Sequence, residues 1–212
     1  MSGVTSAASG PGEDSIGFRE LETSEWRITE LPNHRRRVTI VHRPLAGLTP
    51  VDLLWWFGHI EGTCEVDGAT MTRYHAWHPR DHIHWALHRP GAGGGAAEGA
   101  QYRIVEAFGA DPVNRVDVIE RVEKLDTTGI RLVQRRLGVR LFMLEHTWSP
   151  GAEGVHYVST MEVGSVLRPW RPVNAHLTGR VMPPQRCRAW VRHNVEEVGR
   201  LERLVPLVRG SA

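Results

Sequence analysis

The chain has 212 residues, with 26 basic and 24 acidic side chains, a net charge of +2 with histidine neutral, and 41% hydrophobic residues. That suits one globular domain with a sizeable core and is short for two. The charges are interspersed, with basic clusters only at Arg35, Arg36, Arg37 and at Arg135, Arg136, which argues against nucleic acid as a partner. Cys64 and Cys187 stand far apart, which excludes a disulfide scaffold and a cysteine-based zinc site, and no apolar run approaches the roughly 20 residues needed to cross a bilayer.

Residues 1–17 are rich in Ser, Gly and Ala and are expected to form a disordered tail ahead of a single domain at 18–212. They lack the basic and apolar regions of a signal peptide, so a cytoplasmic location is expected. "LTPVDLLWWFGHIEGT" predicts a helix, with Thr49 as N-cap, Pro50 at the first helical position and Gly62 as the stop.

"RYHAWHPRDHIHW", residues 73–85, carries four histidines, and His88 follows three residues later. In an extended strand His78 and His82 stand roughly 13 Å apart, too far to share an ion. A turn beginning at Pro79 brings them closer, and one of the two is expected to coordinate while the other orients or packs. Asp81, beside His82, is a natural acceptor for an imidazole N–H. His75, His84 and His88 are expected to be exposed or hydrogen-bonded.

After a Gly/Ala loop at 90–99, "QYRIVEAF" predicts a strand with Tyr102, Ile104, Glu106 and Phe108 on one side, so Glu106 faces an apolar surface. "VRLFMLEHTW" groups His146 with Phe142, Leu144 and Trp148. "VHYVSTMEV" groups Tyr157 with Val155, Ser159, Met161 and Val163, and "PGAEG" joins the two as a hairpin.

A helix is predicted from about Gln185 to Val208, with a stripe of Cys187, Val191, Val195, Val198 and Val205 flanked by Trp190 and Leu201. Antiparallel strands followed by a long amphipathic helix predict an α+β fold in which a curved sheet wraps that helix and encloses a pocket.

His193 and Glu197, four apart, share one helix face and can bind one ion together. Glu106, costly to bury unpaired, is a second carboxylate for such an ion, and one histidine of the 78/82 pair completes the set. Two histidines and two carboxylates suit Zn2+, with Mn2+ or Fe2+ as alternatives.

"LLWWFGHIEG", "RYHAWHPRDHIHW", "IVEAFG" and a terminal "HNVEE", in that order over about residues 45 to 200, resemble the 2,4-diacetylphloroglucinol hydrolase and phloretin hydrolase family. The resemblance implies a Bet v 1-like helix-grip domain holding zinc through two histidines and two glutamates. By position these are His82, Glu106, His193 and Glu197, with His78 as the alternative to His82. Tyr74 matches a substrate-contacting tyrosine, His146 a catalytic-pocket histidine and Tyr157, loosely, a second tyrosine of the pocket.

The implied reaction is metal-dependent hydrolysis of the C–C bond between an acyl group and a phenolic ring, an acylphloroglucinol or a polyketide-like molecule. His146, Tyr74 and Asp81 are the catalytic candidates, and Tyr157, Trp85 and Trp56 the substrate-binding ones. The expected partner is a small aromatic or polyketide substrate, with neither nucleic acid nor membrane, and a homodimer is compatible. The alternatives are a natural-product tailoring enzyme of the same fold (cyclase, dehydratase or deacylase) and a non-catalytic protein that binds an aromatic small molecule.

Overall fold

Period-two alternation of apolar and polar residues builds most of the chain into strands. The computed structural model describes residues 15–210. Its strands are β1 (Ser24–Leu31), β2 (Arg35–His42), β3 (Thr63–Val66), β4 (Ala69–Thr72), β5 (His82–Arg89), β6 (Gln101–Ala107), β7 (Arg115–Asp126), β8 (Gly129–Arg136), β9 (Val139–Gly151) and β10 (Gly154–Val163). Its α-helices are α1 (Pro50–Gly58), α2 (Arg73–Trp77), α3 (Arg171–His176) and α4 (Pro184–Gly210).

Eight strands form one antiparallel sheet in the order β1-β2-β10-β9-β8-β7-β6-β5, and β3 pairs with β4 in a separate hairpin. The curved sheet and the long terminal helix make the expected α+β helix-grip arrangement. The predicted stripe of α4 is buried along its whole length, and it joins two apolar cores. Cys187, Trp190, Val191 and Val195 pack with Val38, Ile40, Phe108 and Met161. Val198, Leu201, Leu204, Val205 and Val208 pack with Leu53, Trp56, Trp148 and Tyr157. His193, Asn194 and Glu197 therefore sit at the seam between two cores, in the middle of the helix.

The local signals hold with shifted boundaries. Thr49 caps α1 in a complete capping box with Asp52, and Pro50 opens the helix. The helix stops at Gly58, four residues before the predicted glycine, because His59 leaves the helical conformation and sets Nδ1 2.8 Å from the Trp55 carbonyl. The hairpin between β9 and β10 turns at Gly151 and Gly154. Gly154 has φ +125°, and a Cβ there would stand 2.2 Å from the Leu45 carbonyl oxygen, so this turn requires glycine.

The predicted tail ends earlier than residue 17. Ser15 donates to Asp67, Arg203 and Arg200 donate to the carbonyls of Ser15 and Gly17, and Ile16 is buried. The rest of the predicted tail lies outside the described residues. The basic cluster on β2 is neutralised in place, Arg35 and Arg37 by Glu162 and Arg36 by Glu30. No helix among the described residues is long and apolar enough to cross a membrane.

Candidate metal centre

Three pieces of chain meet at the seam. His82 opens β5 directly opposite Glu106 of β6, so the two side chains share the inner face as cross-strand neighbours. His193 and Glu197 approach from α4, one helical turn apart. Nε2 of His82 lies 3.4 Å from Glu106 Oε1 and 3.3 Å from Glu197 Oε2. Nε2 of His193 lies 3.8 Å from Glu106 Oε2 and 3.7 Å from Glu197 Oε2. A tetrahedral ion with bonds of about 2.0–2.1 Å sets its ligand atoms roughly 3.3 Å apart, so these spacings are close to those of an ion's ligands.

The outer nitrogens decide what the inner ones present. Nδ1 of His82 lies 2.7 Å from the Tyr74 carbonyl, which can only accept, so Nδ1 carries the proton. Nδ1 of His193 lies 2.9 Å from Asp81 Oδ2. Asp81 also accepts from the backbone N–H groups of Gly109 and Ala110. Burial pushes the Asp81 carboxyl up, but the His193 bond and the Gly109 N–H outweigh it and hold the group well below the usual range. It is an anion, and His193 also donates from Nδ1.

Burial lowers both imidazoles, His193 to about 3, and keeps them neutral. Each ring thus turns an Nε2 lone pair toward carboxylate oxygens. Nε2 of His82 is buried with no hydrogen-bond partner among the described residues. Lone pairs facing carboxylates in a dry interior repel one another unless a proton or a cation lies between them, and the residues present fit a divalent ion.

The remaining carboxylate oxygens are held in place. The Tyr74 hydroxyl donates to Glu106 Oε1, and its ring stacks on His82 at 3.9 Å between centroids. The Asn194 amide donates to Glu197 Oε1 at 2.6 Å. Burial raises both Glu106 and Glu197, and the charge of Glu197 adds to the rise at Glu106. Two anchors fix the 73–82 segment on α4: Trp77 Nε1 donates to the Glu197 carbonyl, and buried Arg200 holds the Ala76 carbonyl through Nε and Nη2.

The geometry separates the two candidate histidines. The turn at Pro79 closes with the His82 N–H on the His78 carbonyl, and the ring centroids come within 5.6 Å. His78 nevertheless faces away from the carboxylate pair, with Nδ1 accepting from the Asp81 N–H and Nε2 3.1 Å from Glu196. It stacks on His193 at 4.6 Å and packs the site from behind. His82, the preferred ligand of the two, is the one that faces Glu106 and Glu197, while His78 lies close to Asp81 and His193 in a second group able to hold an ion. Asp81, expected as an acceptor for an imidazole, orients His193 rather than its neighbour His82, and it is buried. His75, His84 and His88 are exposed.

The proposed pocket residues are spread more widely than the sequence suggests. Tyr74 has its hydroxyl engaged by Glu106, which makes it a support of the cluster. Trp56 is fully buried against Trp77 in the core, and Trp85 packs edge-on against Tyr102. His146 and Tyr157 are buried with ring centroids 5.4 Å apart, and the Tyr157 hydroxyl has no partner among the described residues. Burial, and secondarily the charge of Glu197, raise Tyr157 well above its ordinary value. Neither lines the cavity of about 320 Å3 between the sheet and α4, which Glu106 does line.

Sequence reasoning missed His42, Asn194 and the bridging role of Ser159. Ser159 Oγ is 2.9 Å from His42 Nε2 and 2.9 Å from His146 Nδ1. One hydroxyl donates to one ring and accepts from the other, and because it meets Nε2 of His42 but Nδ1 of His146 it fixes the same tautomer in both rings. Burial lowers both histidines to about 3. Ser159→Ala is expected to strand two buried ring nitrogens and to destabilise the fold by about 1–3 kcal/mol. Denaturant unfolding reads that cost, and imidazole 15N spectra read the loss of tautomer order at His146.

Fold and site together define a helix-grip α+β protein in which His82, His193 and Glu197 stand close enough to hold one ion, with Glu106 beside them. No family model matches the chain, and no curated protein does. Among solved structures the chain is similar to a conserved protein of unknown function from Enterococcus faecalis, at 10% identity over 87% of this chain and 77% of that one, with a TM-score of 0.45. It is also similar to Ara h 8.0201, at 8% identity over 76% and 97% of the two chains and a TM-score of 0.37. CalU16 from Micromonospora echinospora is similar at 14% identity over 88% and 97%, with a TM-score of 0.34.

Proposed function

We propose that the chain is a metal-dependent hydrolase that cleaves the C–C bond between an acyl group and a phenolic ring. His82, Glu106, His193 and Glu197 would hold the ion, with zinc favoured by the nitrogen and oxygen donors and Mn2+ or Fe2+ as alternatives. The observation that carries this reading is the pair of neutral imidazoles turning Nε2 lone pairs onto two buried carboxylates. The ordered motifs that resemble acylphloroglucinol hydrolases supply the reaction class.

A bound divalent ion would supply Lewis acidity toward a carbonyl or phenolate oxygen and acidify a water. The chain's own residues set the stage for it. Asp81 and the Tyr74 carbonyl keep both rings in one tautomer, while the Tyr74 hydroxyl and the Asn194 amide fix the rotation of the two carboxylates. Glu106 lines the apolar cavity, so a flat substrate there meets the centre at that residue. The reaction adds water across the bond: its oxygen joins the acyl carbon, and a proton goes to the ring carbon as the bond breaks. His146, held by Ser159, is the candidate that the motif resemblance assigns to that proton; it lies outside this cavity, so the assignment requires a substrate that extends from Glu106 toward the His146–Ser159 pair.

The test is release of a carboxylic acid and the deacylated phenol from acylphloroglucinol substrates by zinc-loaded protein. Conversion without acid release would favour a tailoring enzyme. Binding that survives chelation, with no turnover, would favour a binding protein.

A further inference from the structure

Strand β7 repeats the pattern that singles out Glu106. Val116, Val118, Glu120 and Val122 alternate onto one face, and the carboxylate falls among valines. Glu120 is 3% exposed. Gln134 of β8 donates from Nε2 to its Oε1 at 3.0 Å, while Oε2 is buried with no partner among the described residues. Both residues line the cavity of about 320 Å3, whose other walls hold Glu106, Arg135 and Arg136 among apolar side chains such as Phe142, Leu144 and Met161.

The register sets the two carboxylates apart. Glu106 faces Val116 across the ladder and Glu120 faces Tyr102, so Glu120 lies four residues farther along β7, roughly 13 Å. The cavity therefore has a carboxylate of the centre at one place and a buried, half-satisfied carboxylate at another.

We infer that Glu120 is the hydrogen-bond acceptor for a ring hydroxyl of the molecule that fills this cavity, held on the side away from the metal centre and steadied by Gln134. The identification of the ligand as a phenol rests on the hydrolase reading, whereas the acceptor itself rests on the cavity. A lone buried acceptor in an apolar wall costs free energy until a donor arrives, and that cost turns into discrimination against ligands lacking the donor. Burial raises Glu120 to about 7, against the opposing effect of Gln134, as expected of a carboxyl without a compensating cation. Arg135 and Arg136 also line the cavity and disfavour a cationic donor, which leaves a neutral O–H or N–H, and the phenol reading selects the hydroxyl.

The test is a fluorescence titration, with Trp190 in the cavity wall as reporter. The probes are 4-hydroxybutyrophenone and its methyl ether, and the protein is native or Glu120→Gln, metal-free or zinc-loaded. The native chain is expected to bind the phenol about tenfold more tightly than the ether. In Glu120→Gln the amide oxygen takes the Gln134 bond and the NH2 turns to the cavity, so the preference falls to near unity while ether affinity stays the same. If that variant does not fold, Glu120→Asp withdraws the carboxyl by one methylene and should weaken the phenol more than the ether. Equal binding of the two probes by native protein, no binding of either, or a preference unchanged in the variant would each overturn the inference. A hydroxyl preference in a chain that never releases acid would leave the acceptor standing and remove the hydrolase; acid release without the preference would do the reverse.

Discussion

Glu197→Gln and His82→Ala are each expected to lower acyl-phenol hydrolysis by more than about a thousandfold and to cost the protein its ion. The size of the effect follows from the geometry. Oε2 of Glu197 is 3.3 Å from one imidazole nitrogen and 3.7 Å from the other, so this one atom ties β5 to α4. An amide keeps the shape and removes the charge that would balance a dication. Asp81→Asn is expected to do less, about 10- to 100-fold in metal affinity, because the rings stay present and only the hold on His193 loosens. Glu196→Gln lies one residue away but contacts His78, Arg80 and Arg192, and it should retain the metal. Chelator-competition titrations beside acid-release assays read all four variants.

The second large effect is on stability and its pH dependence. In metal-free protein Glu106, Glu120 and Glu197 have folded pKa values raised above 4.5, first by burial. Such groups contribute stability that is complete below about 4.5 and lost as pH rises through their folded values, which for Glu120 is about 7. His42, His146 and His193 are lowered to about 3 from 6.5, so their contribution is complete above 6.5 and lost as pH falls toward 3. The metal-free chain should be most stable near pH 5 to 6.5 and should weaken toward pH 8.

A bound ion holds Glu106 and Glu197 ionised and removes their part of the alkaline loss. Zinc at about a thousandfold above its Kd adds roughly 4 kcal/mol, or about 8–16 °C in Tm for a chain of this size. At pH 5.5 the gain should be much smaller, because protons compete for the ligands. Thermal melts with zinc or with chelator at both pH values check this, and equal shifts at the two would contradict the assignment of the carboxylates.

Much of the site was legible because its signals are periodic. His193 and Glu197 at helical spacing, and Glu106 alone on an apolar strand face, point to a shared ion before any coordinates are known. The choice of His82 over His78 was not legible from spacing alone, because it depends on how the turn at Pro79 aims two rings of the same type. Asp81 was readable as an acceptor for an imidazole but not as the partner of a histidine 112 residues away. His42 and Ser159 join His146 only through strand neighbours brought together by the sheet, and no local pattern announces them. Glu120 obeys the same rule as Glu106, since β7 alternates as β6 does, yet it was missed. The fold class followed from the strand alternation and the long terminal stripe, whereas the ends of α1 and of the tail depended on single contacts at His59 and Ile16.

The most direct test is metal content by mass spectrometry on tag-free native protein, alongside Glu197→Gln and His193→Ala. The account predicts about one transition-metal ion per native chain, zinc foremost, and none in either variant. A well-folded native protein that takes up no ion when offered zinc, manganese or iron would contradict it.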